Sequence, residues 1–517
     1  MAQDGAAAED LRTGGSDASN LKHRSISAVL WGTVGAFMRI GLQIVAQIVL
    51  ARILGPEQFG LFAMGLVVIF FSSFFADVGL AYGLIQRKVV SDEDIRFVFT
   101  WQMVLGLLIT VVLFVAAPAI ARFYDDQRLV DVVQWLSLTC VIGALGSAAS
   151  TLLRRELDFK TLNLAAAISY AVGFLVVGIP MALLGFGVES LIAAFLTQMF
   201  IQALICFLKR RHPVRPLFWQ PAAMELIRFG GTVFATNLVN WVMNSVDRLV
   251  VGRTMSMTSA GLYSTVHNFI SAPTIQALSL LQSVLYSASA RVQDSTEKLQ
   301  SGLRTMSGIV GLAVMPVFFT VAVVAPTFMH AVYGHKWVGG EVVLAPLAVA
   351  MPALLLMGMA TPILWTSGNT TKEFRIQIPI AIVWLVVLVA VSHLGSLALL
   401  SWAVCGLFYL RAGVIVQATL NAIGMRPIEW LSLLRPGLVV SAGVMLAAWL
   451  TDHGLASVVP IDLLRLLIVV AVSGVAFVAM LRAVRGLLSG EVLELFVRLS
   501  DRVPAGKGRR VVALLFA

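Results

Sequence analysis

Charge is scarce in this chain. Only 12% of its 517 residues are Asp, Glu, Lys or Arg, against about 25% in soluble domains. Hydrophobic residues make up 59%, and the mean hydropathy is +0.91. A soluble globular fold is thereby excluded and an integral membrane protein implied. Cysteine is scarce too. Cys140, Cys206 and Cys405 all lie inside apolar runs, too few for a disulfide framework and without ligand spacing, so they read as small buried apolar residues and no metal site is expected. P-loop, HExxH, GxSxG and dinucleotide motifs are absent from any credible position, so neither ATP hydrolysis nor a cofactor is expected. Connections between apolar runs do not exceed about 20 residues, the length of a single membrane helix. An extracytoplasmic catalytic domain has no room, and the chain is not expected to be an enzyme.

The net charge of +10 would suit nucleic acid, but the cations cluster between apolar runs, as membrane topology requires. No nucleic-acid partner is expected. Residues 1–24 lack a basic segment followed by an apolar core. They read as a disordered cytoplasmic tail rather than a cleavable signal, and the first span serves as an uncleaved insertion signal.

What the chain has is apolar length. A span needs about 20 apolar residues, and fourteen segments qualify: near 26–51, 60–85, 97–117, 130–150, 162–184, 189–208, 229–251, 260–290, 303–325, 342–366, 374–393, 396–420, 433–451 and 462–483. With these spans, 28 of the 37 Lys and Arg fall on one side and six on the other. Both termini are therefore expected to be cytoplasmic. Trp31, Trp135, Trp219, Trp337 and Trp430 fall near span ends and read as interface anchors. Pro273, Pro316 and Pro362 interrupt long spans, where a missing donor bends a helix.

A short pattern occurs twice, 201 residues apart. Arg52 is followed after seven residues by Gly60-Leu61-Phe62, and Arg253 by Gly261-Leu262-Tyr263. At the same offset Arg39, Gln43 and Gln47 align with Asn240, Asn244 and Arg248. We read an internal duplication: two pseudo-symmetric six-helix bundles, 25–208 and 229–420, joined by a cytoplasmic linker 209–228. Residues 421–485 add two helices outside the duplication, and 486–517 form a cytoplasmic tail that lies on the anionic inner leaflet or is plainly soluble. The fold class is all-α polytopic, with 14 transmembrane helices. A duplicated membrane protein is most often a transporter with its pathway between the halves.

In-span polar residues cost at least about 2.5–3.5 kcal/mol when ionisable, so they face a cavity or a partner. Arg39, Gln43 and Gln47 share one helix face, as do Asn237, Asn240, Asn244 and Arg248. They read as walls of an aqueous substrate cavity, the alternative being interhelical hydrogen bonding. Arg39 suits a phosphate or pyrophosphate, the alternative being snorkelling to the surface. Arg411 has the same two readings. Asp77, Asp247 and His267 are candidates for coupling or ion pairing; a structural role is the plainer reading of each. The outer acids Asp125, Asp126, Glu341, Asp452 and Asp462 are placed in short turns.

The stretch Leu50-Ala-Arg-Ile-Leu-Gly-Pro-Glu-Gln-Phe-Gly60 resembles the first-loop signature of Wzx-type polysaccharide exporters, of the multidrug/oligosaccharidyl-lipid/polysaccharide (MOP) exporter superfamily. Ala76–Arg87, Arg154–Lys160 and Asp247–Gly252 are similar to further stretches of that family. The resemblance implies two six-helix bundles around a V-shaped central cavity, as in the related MATE transporters. It also implies flipping of undecaprenyl-diphosphate-linked oligosaccharide across a bacterial inner membrane, for exopolysaccharide, capsule or lipopolysaccharide biosynthesis. The partners implied are the lipid-linked oligosaccharide, membrane lipid, and a polysaccharide polymerase or export complex. Two alternatives remain: a MATE-like small-molecule antiporter, and a polyprenyl-sugar polymerase.

Overall fold

The structure, a computed structural model of the full chain, describes residues 41–77, 79–87, 89–220, 234, 241, 244–289, 296–367, 370–484 and 486. These residues form two compact units, 1–253 and 254–517. Among them eleven helices are long and apolar enough to cross a membrane. Helix is the expected outcome, because a chain in hydrocarbon must satisfy every backbone N–H and C=O within itself.

Unit one contains α1 (Gly41–Leu54), α2 (Pro56–Asp77), α3 (Leu80–Gln86), α4 (Asp92–Tyr124), α5 (Leu129–Arg155), α6 (Phe159–Leu183), α7 (Val188–Lys209) and α8 (244–254). Helix α5 is its centre and packs on α2, α3, α4, α6 and α7. Local chemistry sets the ends. Ser91 opens α4 with a reciprocal capping box to Asp94, and the Asp158 carboxylate accepts from Thr161 N–H at the start of α6.

Unit two contains α9 (Met257–Ser289), α10 (Thr296–Val323), α11 (Ala325–Val332), α12 (Glu341–Thr366), α13 (Thr370–Ser392), α14 (Leu397–Ile423), α15 (Pro427–Leu455) and α16 (Asp462–Ala483). Its centre is α12, against which α9, α10 and α14 pack. Helix α9 is 33 residues long but carries Ser264, His267, Gln276 and Gln282, and it is not among the eleven.

Several expectations change. The predicted span 60–85 is two helices, because Gly79 adopts φ 70°, a left-handed conformation that ends a helix. Asp77 therefore stands at the end of α2 rather than within a span. Helices α6 and α10 each contain a π-helical stretch, 171–178 and 310–314, two residues before Pro180 and Pro316. A wider turn relieves the clash of the proline ring with the preceding carbonyls. Trp337 is fully buried, packed on Tyr333 with ring centroids 5.3 Å apart, and anchors no interface. Trp135 and Trp219 are exposed, as an anchor requires. Residues of the seventh apolar segment pack inside unit one, Phe234 on Phe75 and Trp241 on Phe71.

Helices α15 and α16 are part of the core of unit two. Leu434 joins a cluster with Leu355, Met359 and Ile415, while Val440 and Val444 pack with Leu312 and Leu481. At their crossing Gly437 lies so close to the Gly311 backbone that a Cβ would collide with it. In an unconstrained helix Gly→Ala gains about 1 kcal/mol. Here overpacking costs about 1–3 kcal/mol, so Gly437→Ala is expected to lower resistance to denaturation, with Gly443→Ala less damaging because only the flexible Met480 side chain must move.

The described part of the linker runs along the base of unit one. His212 is buried edge-on between Phe99 and Phe207 at 5.0 and 5.3 Å. Burial pushes its pKa below the ordinary value, and the charge of Arg210 acts in the same direction. The folded state therefore favours the neutral ring. Its contribution is full above the unfolded pKa of about 6.5 and is lost as pH falls through the lower folded value. Proteolysis at the linker should accelerate below about pH 6 in the native protein, and His212→Phe should remove that acceleration.

Candidate functional site

Of the eight residues expected to line a cavity, Arg39, Asn237 and Asn240 lie outside the described residues. The other five fall on three helices, α1, α8 and α14. Gln43 and Gln47 lie half-buried on α1, on the same face as the buried Ala46 and Leu50, which are three and seven residues on from Gln43. Tyr170, on α6, donates its hydroxyl to the Gln43 carbonyl at 3.5 Å. On α8, Asn244 is exposed, Arg248 is half-buried and Asp247 is buried, and all three are engaged with neighbours. The Asp247 carboxylate accepts from the backbone N–H of Arg248 at 2.9 Å. Asn244 and Arg248 keep the i, i+4 register that shares a face. Asp77 belongs to α2, whose described features do not include that side chain.

Arg411 is the best defined of the expected cations. It lies within α14, 8% exposed. Its Nε donates to Gln377 Oε1 at 3.1 Å, and Gln377 Nε2 donates to Glu373 Oε1 at 3.0 Å. The other Glu373 oxygen accepts from Trp365 Nε1 at 2.6 Å. Three helices, α12, α13 and α14, are thus joined by one polar chain. A glutamine stands between the guanidinium and the carboxylate, so Glu373 balances the charge of Arg411 without a direct bond between them. An arginine held this way keeps unused donors and a fixed orientation.

Sequence reading missed Glu373 and Gln377. Their signal was an i, i+4 pair of polar residues at the mouth of the span 374–393, but an acid at that edge reads as a surface residue. His267 is also resolved. It is buried, stacked on Tyr263 at 5.9 Å, with Nδ1 3.5 Å from Ser271 Oγ. Such surroundings fit a satisfied structural histidine.

Unit one also has an open cavity of about 340 Å³ that the sequence did not announce. Phe70, Ser73, Gln102, Thr139, Ser147 and Met199 are among its walls, from α2, α4, α5 and α7. Gln102 Nε2 donates to Ser147 Oγ at 2.9 Å. Among the described residues its lining holds no ionisable group except the Cys140 thiol.

Asp452 is another correction. It lies in α15, buried, not in an outer turn. Its carboxylate pairs with Arg465 Nε of α16 at 2.7 Å and accepts from the Thr327 hydroxyl of α11 at 2.8 and 3.0 Å. The arrangement ties α15 and α16 to α11.

A family described as "Polysaccharide biosynthesis protein" matches residues 49–340. The lipopolysaccharide biosynthesis protein WzxC of Escherichia coli K12 is 27% identical over 325 residues, 62% of this chain and 65% of that protein, just under two thirds of its length. The succinoglycan biosynthesis transport protein ExoT of Rhizobium meliloti is 26% identical over 372 residues, covering 71% of this chain and 72% of that one. Among solved structures, the lipid II flippase MurJ in an inward closed conformation aligns over 89% of this chain and 99% of its own, with a TM-score of 0.67 at 13% identity. An inward-facing MATE multidrug resistance transporter of the MOP superfamily aligns over 75% and 98%, with a TM-score of 0.58 at 16% identity. The chain therefore belongs to the polysaccharide biosynthesis protein family, as a polytopic all-α membrane protein with the MOP-superfamily fold.

Proposed function

We propose that this protein is a flippase that moves undecaprenyl-diphosphate-linked oligosaccharide repeat units from the inner to the outer leaflet of a bacterial inner membrane. It works by alternating access of fourteen spans in two pseudo-symmetric bundles plus two helices. It transports without chemical conversion and supplies exopolysaccharide, capsule or lipopolysaccharide biosynthesis. The observation that carries this reading is a MurJ-like fold over 89% of a chain from a polysaccharide biosynthesis family. The in-span cations give it a physical basis. A diphosphate leaving water needs cations, because its transfer cost in a low-dielectric medium is large. The oligosaccharide needs the donors and acceptors that Gln43, Gln47 and Asn244 carry. The prenyl tail stays in lipid.

The test is a leaflet assay. Purified protein is reconstituted into vesicles with a fluorescent polyprenyl-diphosphate oligosaccharide, and the access of an added glycan-cleaving enzyme is followed. Protein-dependent exposure of the protected pool is the expected result. No exposure across several glycans and ion gradients would overturn the reading in favour of a small-molecule antiporter. In this assay Arg39→Ala should slow flipping at least about tenfold, a loss of about 1.4 kcal/mol, without lowering the yield of folded protein. Unchanged flipping would remove Arg39 from the cavity.

A further inference from the structure

Lys209–Gln220 is basic, aromatic and apolar at once. Pro213 and Pro216 keep residues 210–220 out of a helix, and the segment is fixed along the base of unit one. Arg96 donates to the carbonyls of Arg215 and Pro216 at 3.0 and 3.3 Å. Leu217 N–H donates to Thr100 Oγ1 at 2.9 Å, and Trp101 Nε1 to the Phe218 carbonyl at 3.1 Å. Arg210 is occupied by Glu156 at 2.6 Å. What remains outward is a mixture found at membrane surfaces: Lys209, Arg211 and Arg215 exposed, with Val214, Phe218 and Trp219 also exposed among them. Aromatic and basic groups together fit the headgroup boundary of a bilayer.

Beside this strap is a second, apolar cavity of about 180 Å³, walled by Phe99, Leu145, Phe200, Leu204, Phe207 and Val214. Leu145, Phe200, Leu204 and Val214 are exposed, so the cavity opens at the surface of unit one. Val214 belongs to both features. An apolar slot therefore lies next to a row of cations, on the side where the basic residues of the chain concentrate.

We propose that this is a binding site for an anionic phospholipid, with an acyl chain in the slot and the phosphate on Arg211 and Arg215. Charge complementarity selects the occupant. The cytoplasmic leaflet is negative and attracts juxtamembrane cations, while a zwitterionic lipid offers the same chain without net charge. The proposal does not depend on which substrate is moved.

The experiment is native mass spectrometry of the full-length protein with phosphatidylglycerol and phosphatidylcholine in equal amounts. Phosphatidylglycerol should be retained at least about fivefold better. Arg211→Ala with Arg215→Ala should abolish the preference, and Leu145→Trp, which fills the slot, should reduce retention. Equal retention of both lipids, a preference unchanged by the double variant, or displacement by undecaprenyl phosphate would overturn the proposal. Should the variants fail to fold, the native protein still decides. Phosphatidylglycerol brominated along its chains should quench the part of the tryptophan emission that Trp219→Phe removes, one of eleven tryptophans, whereas brominated phosphatidylcholine at equal mole fraction should not. Equal quenching would refute the site. Flipping activity does not enter these readouts, so failure here leaves the transport reading untouched.

Discussion

Arg411→Ala is expected to lower flipping at least about tenfold, about 1.4 kcal/mol in the barrier. The guanidinium is buried in α14 and held by Gln377, which is itself held by Glu373. Two roles for it make different predictions. If Arg411 only balances Glu373, Arg411→Gln combined with Glu373→Gln removes both charges and should recover both folded yield and flipping. If Arg411 meets the substrate diphosphate, the double variant recovers yield alone. We expect the second outcome, because the intervening glutamine keeps the guanidinium from being saturated by a carboxylate. Arg411→Lys should fall between, since an ammonium lacks the planar fork. Wild-type flipping by Arg411→Ala would exclude the residue from transport.

The largest stability effect is expected at Asp452. Removing one member of a buried ion pair leaves the other charge uncompensated and costs about 3–5 kcal/mol. Asp452→Ala should fall at the lower end of this range, because the Arg465 it strands is partly exposed, and it also removes the acceptor of the Thr327 hydroxyl. Asp452→Leu with Arg465→Met should be far less damaging, because a buried pair replaced by packed apolar groups is often neutral. Thr327→Val should cost about 1 kcal/mol, a single hydrogen bond. Denaturant unfolding in detergent measures all three. A loss below about 1 kcal/mol for Asp452→Ala would place the pair with surface bridges.

Hydropathy and length are what a sequence states most clearly about a membrane protein, and here they located the helices closely. The segment 130–150 is α5, Leu129–Arg155, and 189–208 is α7, Val188–Lys209. The family resemblance was carried by residues 50–60, inside the matched region. What escaped depends on forces that hydropathy does not register. The break after Asp77 comes from the sign of one φ at Gly79. The place of Asp452 comes from partners 125 residues earlier and 13 later in the chain. An acid near a span end looks solvated until the tertiary fold brings an arginine to it. The Arg411–Gln377–Glu373–Trp365 chain was half visible for the same reason. Arg411 stood out because a mid-span cation is costly, while its partners lay at a polar edge where they attract no notice.

The π-helical stretches in α6 and α10 have a consequence for how the chain tolerates insertions and deletions. A π turn holds one residue more than an α turn, so each stretch is in effect an accommodated insertion. Deleting one residue from 310–314 returns the helix to regular geometry without a gap in its backbone hydrogen bonds. The same deletion in regular α5 rotates every later side chain by about 100°, turning its buried face toward lipid. Single-residue deletions should therefore be survivable at these two places and lethal to folding in α5, and homologues that differ in length by one residue within spans should differ there first.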